Sequence, residues 1–148
     1  MTRRVIFLDI DGVLAPIRTW DRYEDLDAAC VQVLNEIVAQ CSADVVVSST
    51  WRYGKTVAEL QEILDAQGFA GRVLDKTPSD LPGADRAEEI AAWLAEHEAV
   101  DYVIIDDHVI VGELRTHLVQ THPAHGLRPA DAQRAVAMLT RPTHRRTP

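Results

Sequence analysis

Two pairs of aspartates stand at the ends of apolar runs: Asp9 and Asp11 in FLDIDGVL, and Asp106 with Asp107 in VIIDDH. Singly, an aspartate after a strand has a plain use, capping the next helix or closing a turn. Two pairs brought to neighbouring strand ends would instead repel one another unless a cation lay among them. Mg²⁺ suits such a place, because it takes oxygen ligands in octahedral geometry and commonly uses one or two carboxylates plus waters and a substrate phosphate. If the segment is extended, Asp9 and Asp11 project to one side while Ile10 points away. Gly12 then lets the backbone turn and pass close to a ligand with no Cβ in the way.

A third apolar run, DVVV, ends in Ser48 and Ser49. Either hydroxyl could donate to an anionic oxygen, and either could equally satisfy loose backbone groups at a strand end. Trp51 and Arg52 follow directly. The guanidinium offers a fork for a phosphate and the indole a face for a base; the plainer alternative is a ring packed under the loop beside a surface arginine. His108 adjoins the second aspartate pair, where a lone histidine is more commonly supporting or exposed than catalytic.

The elements that must position these residues alternate regularly. RVIFLD (residues 4–9) reads as a buried strand, 27–41 as a helix, 44–48 as a β-branched strand, and 56–67 as a helix opened by the Thr56/Glu59 capping box and stopped at Gly68. A short strand at 72–74, a helix over 84–97, a strand at 102–106, a last short strand at 117–121 and a helix begun by Pro129 complete the pattern. Such alternation predicts an α/β fold, a three-layer Rossmann-like parallel sheet with right-handed crossovers. Ligands in that architecture sit beyond the carboxyl ends of the strands, where every conspicuous polar residue falls.

With 148 residues the chain suits one domain, expected over 1–140, and a basic tail at 141–148 (RPTHRRTP) without an apolar anchor. Its net charge of −8 argues against loose affinity for nucleic acid, though not against a local basic groove. No apolar run is long enough for a bilayer and the start lacks a cleavage site, so a cytoplasmic protein with no membrane contact is expected. Cys30 and Cys41 lie three turns apart on one expected helix, cannot pair, and read as small core residues.

FLDIDGVL resembles the first motif of the haloacid dehalogenase superfamily of phosphohydrolases, VVVSS the second, Arg86 the basic third and VIIDDH the paired-aspartate fourth. More narrowly, FLDIDGVL, SSTWR, DRAEEIAAWL and LVQTHPAHGL resemble the branch found in Swiss Army Knife RNA repair proteins, over nearly the whole chain. The resemblance implies a Mg²⁺-dependent phosphatase in which Asp9 is the nucleophile and Asp11 the acid and base. Asp9, the Asp11 carbonyl and Asp107, with Asp106 as a further candidate, would hold the metal. Ser48 or Ser49 and Arg86 would meet the phosphate, although the family most often has lysine at the third position. Arg86 could alternatively pair with Glu89 on its own helix.

Relatives acting on small metabolites usually carry an inserted cap domain, for which this chain has no room. An uncapped or minimally capped site admits a phosphorylated polymer, such as a single-stranded nucleic acid end, and the segment at 15–26 with Arg18, Trp20, Arg22 and Tyr23 could act as a flap over it. A phosphatase for nucleotides or other small esters and a non-catalytic metal-binding domain are the competing expectations. The sequence carries no sign of oligomeric state.

Overall fold

The computed structural model describes residues 3–17, 26–97, 100–110 and 112–141. Five strands, β1 (Arg3–Leu8), β2 (Asp44–Val47), β3 (Val73–Lys76), β4 (Val100–Asp106) and β5 (Leu118–Gln120), form one parallel sheet in the order β3-β2-β1-β4-β5. Between them run α1 (Ala28–Cys41), α2 (Val57–Asp65), α3 (Arg86–Ala95) and α4 (Pro129–Thr140). The α/β expectation therefore holds, and β1, which leads into the first aspartate pair, is central. The expected flap residues Arg18, Trp20, Arg22 and Tyr23, and the tail beyond Arg141, lie outside the described residues.

Side-chain alternation along the strands sorts the core into two layers. Ile6, Leu8, Val45, Val47, Val103 and Ile105 pack with residues of α1, α2 and α4. Val5, Phe7, Val46 and Ile104 turn to the opposite face and pack with Ile90 and Trp93 of α3. Strands covered on both faces explain why these runs are continuously apolar rather than alternating. Cys30 and Cys41 are buried core residues that form no disulfide with each other.

Caps fix where the helices begin. Asp27 accepts from Ala29 N at 2.8 Å and so starts α1, and Thr56 and Glu59 make the expected reciprocal capping box on α2. A second capping box went unforeseen: Asp85 and Glu88 exchange bonds of 2.8 and 2.9 Å. It starts α3 at Arg86, two residues later than the periodicity suggests, and so defines the position of that arginine. Sequence periodicity also gave no sign of two 3₁₀ turns, at Thr50–Arg52 and Glu113–His117.

Candidate active site

The ladder continues one residue past the strand ends, with Asp9 N donating to Ile105 O, Ser48 N to Leu8 O and Thr77 N to Val47 O, each at 3.0 Å. Strand alternation turns Asp106, Asp9, Ser48 and Thr77 to the α3 face, the side occupied by Ile104, Phe7 and Val46 one step earlier. Polar groups thus form a row along the carboxyl edge of β4, β1, β2 and β3, beneath the start of α3.

At the β1–β4 end of the row, one ligand atom from each of Asp9, Asp106, Asp107 and His108 lies within 4.8 Å of the others. The carboxyls of Asp9 and Asp107 are therefore close enough to share one ion. Arg86 reaches in from the first turn of α3, its Nη1 at 2.6 Å from Asp106 Oδ2 and 3.2 Å from Asp9 Oδ1. It pairs across to the sheet and not with Glu89. His108 stands at the mouth, 74% exposed, with Nδ1 at 3.1 Å from Asp107 Oδ1 and 3.3 Å from Asp106 Oδ1.

The electrostatics show the strain of crowding acids around a single guanidinium. Burial, then the neighbouring Asp106 carboxylate, pushes the Asp9 carboxyl up to about 8, against the pull of Arg86. Asp107 is also raised, chiefly by burial. Asp106 is buried as well, but the charge and hydrogen bond of Arg86 and the amide of His108 bring it below its ordinary value. Arg86, despite its own desolvation, is raised by Asp9 and Asp106. A small divalent cation would supply what this set lacks. Three of the four donors are hard carboxylate oxygens, the kind that suit Mg²⁺, and the excess negative charge would favour a cation there.

Gly12 has φ +81°, and a Cβ there would lie 2.4 Å from Asp107 Oδ2. The glycine therefore makes room for a carboxylate of the cluster. Its carbonyl accepts a 2.7 Å bond from Thr121 Oγ1, and Thr121 N donates to Asp106 O at 3.0 Å. Thr121 thereby ties the loop after β1 to β4, a role with no sequence signal because its partner is 109 positions away.

Asp11 does not join Asp9 in the cluster. The chain turns at Ile10, whose carbonyl accepts from Val13, Leu14 and Ala15. The Asp11 carboxylate stays apart from the cluster and takes a 3.2 Å bond from Trp51 Nε1. Trp51 thus commits its one ring N–H to Asp11, leaving no such donor for a base.

The two serines separate cleanly. Ser49 Oγ accepts from Trp51 N at 3.2 Å and caps the 3₁₀ turn. Ser48 Oγ is buried and finds no hydrogen-bond partner among the described residues, nor does Thr77 Oγ1 one strand over. An orphaned hydroxyl beside Asp9 is what a phosphate-binding serine requires before its ligand arrives.

Arg52 overturns the expectation of a substrate-facing guanidinium. It is 1% exposed and bonds to Thr77 O, Ser48 O, Ser49 O and Pro78 O at 2.9–3.2 Å, and to Glu89 Oε1 at 2.8 Å. Those contacts use all the N–H groups a guanidinium has, leaving none for a phosphate.

Aspartates gathered at the carboxyl ends of neighbouring parallel strands, with an arginine at a helix start between them, define a haloacid dehalogenase-type α/β domain with a candidate metal centre. Residues 5–132 match the family model for the HAD domain in Swiss Army Knife RNA repair proteins, and the chain belongs to that family. Neither the curated proteins nor the solved structures gave a match.

Proposed function

We propose that this domain is a Mg²⁺-dependent phosphatase that works through an aspartyl-phosphate on Asp9, acting on the terminal phosphate of a nucleic acid strand. The observation that carries this reading is the meeting of Asp9, Asp106 and Asp107 within 4.8 Å, with Arg86 against the first two. Family membership supports the repair context.

An Asp9 oxygen attacks phosphorus in line, and the bond to the leaving oxygen breaks as Asp11 delivers its proton to that oxygen. Asp11, now a carboxylate held by the Trp51 indole, takes a proton from the water that attacks the phosphorus of the intermediate. That second step returns Asp9 and releases inorganic phosphate. Arg86 and Ser48 face the phosphoryl oxygens, where fixed donors count most as charge spreads in the transition state. Mg²⁺ held by Asp9, Asp106, Asp107 and the Asp11 carbonyl would offset the negative charge, so that Asp9 can approach an anion as a carboxylate.

A cavity of about 340 Å³ beside the cluster, lined by Asp85, Arg86, Ala87, Asp106, His108, Val109 and Ile110, favours a second reading, phosphatase action on nucleotides or other small esters. Competition decides between them. A single-stranded oligonucleotide with a terminal phosphate should outperform mononucleotides and para-nitrophenyl phosphate in kcat/KM, and equal or better turnover of the small esters would reject the polymer substrate. Activity retained in full by Asp9→Asn would reject the nucleophile.

A further inference from the structure

We propose that the buried Arg52–Glu89 pair is a positioning device that fixes the phosphate-binding edge of β2 relative to Arg86; this role rests on the phosphatase reading. Arg52 belongs to the 3₁₀ turn after β2, and its guanidinium gathers the carbonyls of Ser48 and Ser49 from that edge and of Thr77 and Pro78 from the edge after β3. Its remaining partner, Glu89, lies on α3 three residues after Arg86, and so on the same helical face. One rigid fork therefore connects the strand end that bears the orphaned Ser48 hydroxyl to the helix that bears the arginine facing Asp9.

A merely stabilising purpose does not account for this arrangement. Burying an ion pair costs about as much as the attraction returns, and apolar side chains of similar volume commonly serve stability as well or better. What an apolar pair cannot do is hold four carbonyls in fixed directions. With its amide donated to Leu8 O and its carbonyl taken by Arg52, Ser48 has only its hydroxyl free for a ligand. Donors locked in this way contribute most to binding and catalysis, because nothing need reorganise when the ligand arrives. Lysine could not replace the arginine, since three N–H groups on a point charge do not match the five directions in use.

The test is a double-mutant cycle read by calorimetric binding of inorganic phosphate in saturating Mg²⁺, alongside thermal unfolding and kcat/KM. Glu89→Gln is expected to weaken phosphate binding about tenfold in the wild-type background and less than about twofold in Ser48→Ala, since coupled residues fail to add. Its cost in Tm should be the same in both backgrounds, and the stabilisation produced by Mg²⁺ should persist. Arg52→Lys should behave alike and carries the same comparison if Glu89→Gln does not fold. Equal loss of phosphate affinity in both backgrounds, or full affinity in Arg52→Lys, would overturn the positioning role alone. A wild-type chain that binds Mg²⁺ but no phosphate would defeat the phosphatase reading and this role with it.

Discussion

On the β1–β4 side of the carboxyl edge, Asp9, Asp106 and Asp107 crowd together with one guanidinium against the first two, whereas on the β2–β3 side one guanidinium is divided among four carbonyls and a single carboxylate. The first region is short of positive charge, and its acids are pushed from their ordinary values. The second is saturated, apart from two buried hydroxyls. The contrast separates two tasks on one sheet edge: one half holds unfavourable charge of the kind a cation would relieve, and the other supplies a rigid frame against which that charge is aimed. Arginines at residues 52 and 86 thus differ in what surrounds them, not in chemistry.

The sharpest way to break the comparison is to remove charge from the strained half. Asp9→Asn should lower phosphatase activity by about 10³-fold or more, because the nucleophile is lost. The same change should leave Tm equal or higher without Mg²⁺, since it deletes a carboxyl that burial disfavours in its charged form. A fall in Tm would mean that the carboxylate stabilises the fold and that the strain is misjudged.

Next in size is the response of stability to pH. The Asp9 carboxyl has an ordinary value of 3.8 and is raised to about 8 in the folded chain, so between those limits the folded state binds more protons than the unfolded one. Stability without Mg²⁺ should therefore fall as pH rises from about 5 to 8. Asp106, lowered in the fold, gains its stabilising effect below that window and does not reverse the slope. Saturating Mg²⁺ should flatten the profile and raise Tm by several degrees, at about 2–4 °C per kcal/mol for a chain near this size. A metal-independent slope in thermal scans would deny that the acids share an ion.

Gly12→Ala probes the crowding itself. The positive φ and the Asp107 oxygen 2.4 Å from the added Cβ should together cost about 1–3 kcal/mol and weaken Mg²⁺ binding, as measured by unfolding and titration. An alanine variant that binds Mg²⁺ normally would show that Asp107 is dispensable to the cluster.

The same contrast explains what the sequence made legible. The charged half was readable because its residues carry their chemistry in type and spacing: paired acids after apolar runs, and a glycine where a Cβ would clash. The alternation of strands and helices also predicted that these residues share one edge. The framing half was not readable. Arg52 beside Trp51 has the composition of a substrate-binding motif, and only its burial against carbonyls as far as 26 positions away shows otherwise. Thr121 and Glu89 look like ordinary surface residues until topology brings them to Gly12 and Arg52. Long-range partners of that kind leave no local periodicity, while the turn at Ile10 depends on three amides converging on one carbonyl rather than on the extended course that FLDID suggests.

The two adjacent serines give the smallest and most discriminating effect. Ser48 Oγ has no partner and Ser49 Oγ caps a turn, so alanine should act on different observables at the two positions. Ser48→Ala removes a buried hydroxyl whose desolvation nothing repays, so Tm should stay level or rise slightly while kcat/KM falls about tenfold from the loss of a phosphoryl contact. Ser49→Ala removes a cap and should cost about 1 kcal/mol of stability, with activity changed by less than about threefold. Both hydroxyls are buried and one residue apart, so bulk effects on packing are closely matched. If the activity loss followed Ser49 instead, the row from Asp106 through Asp9 to Ser48 would not be the face that meets phosphate, and the division of the edge into a charged half and a frame would have to be redrawn.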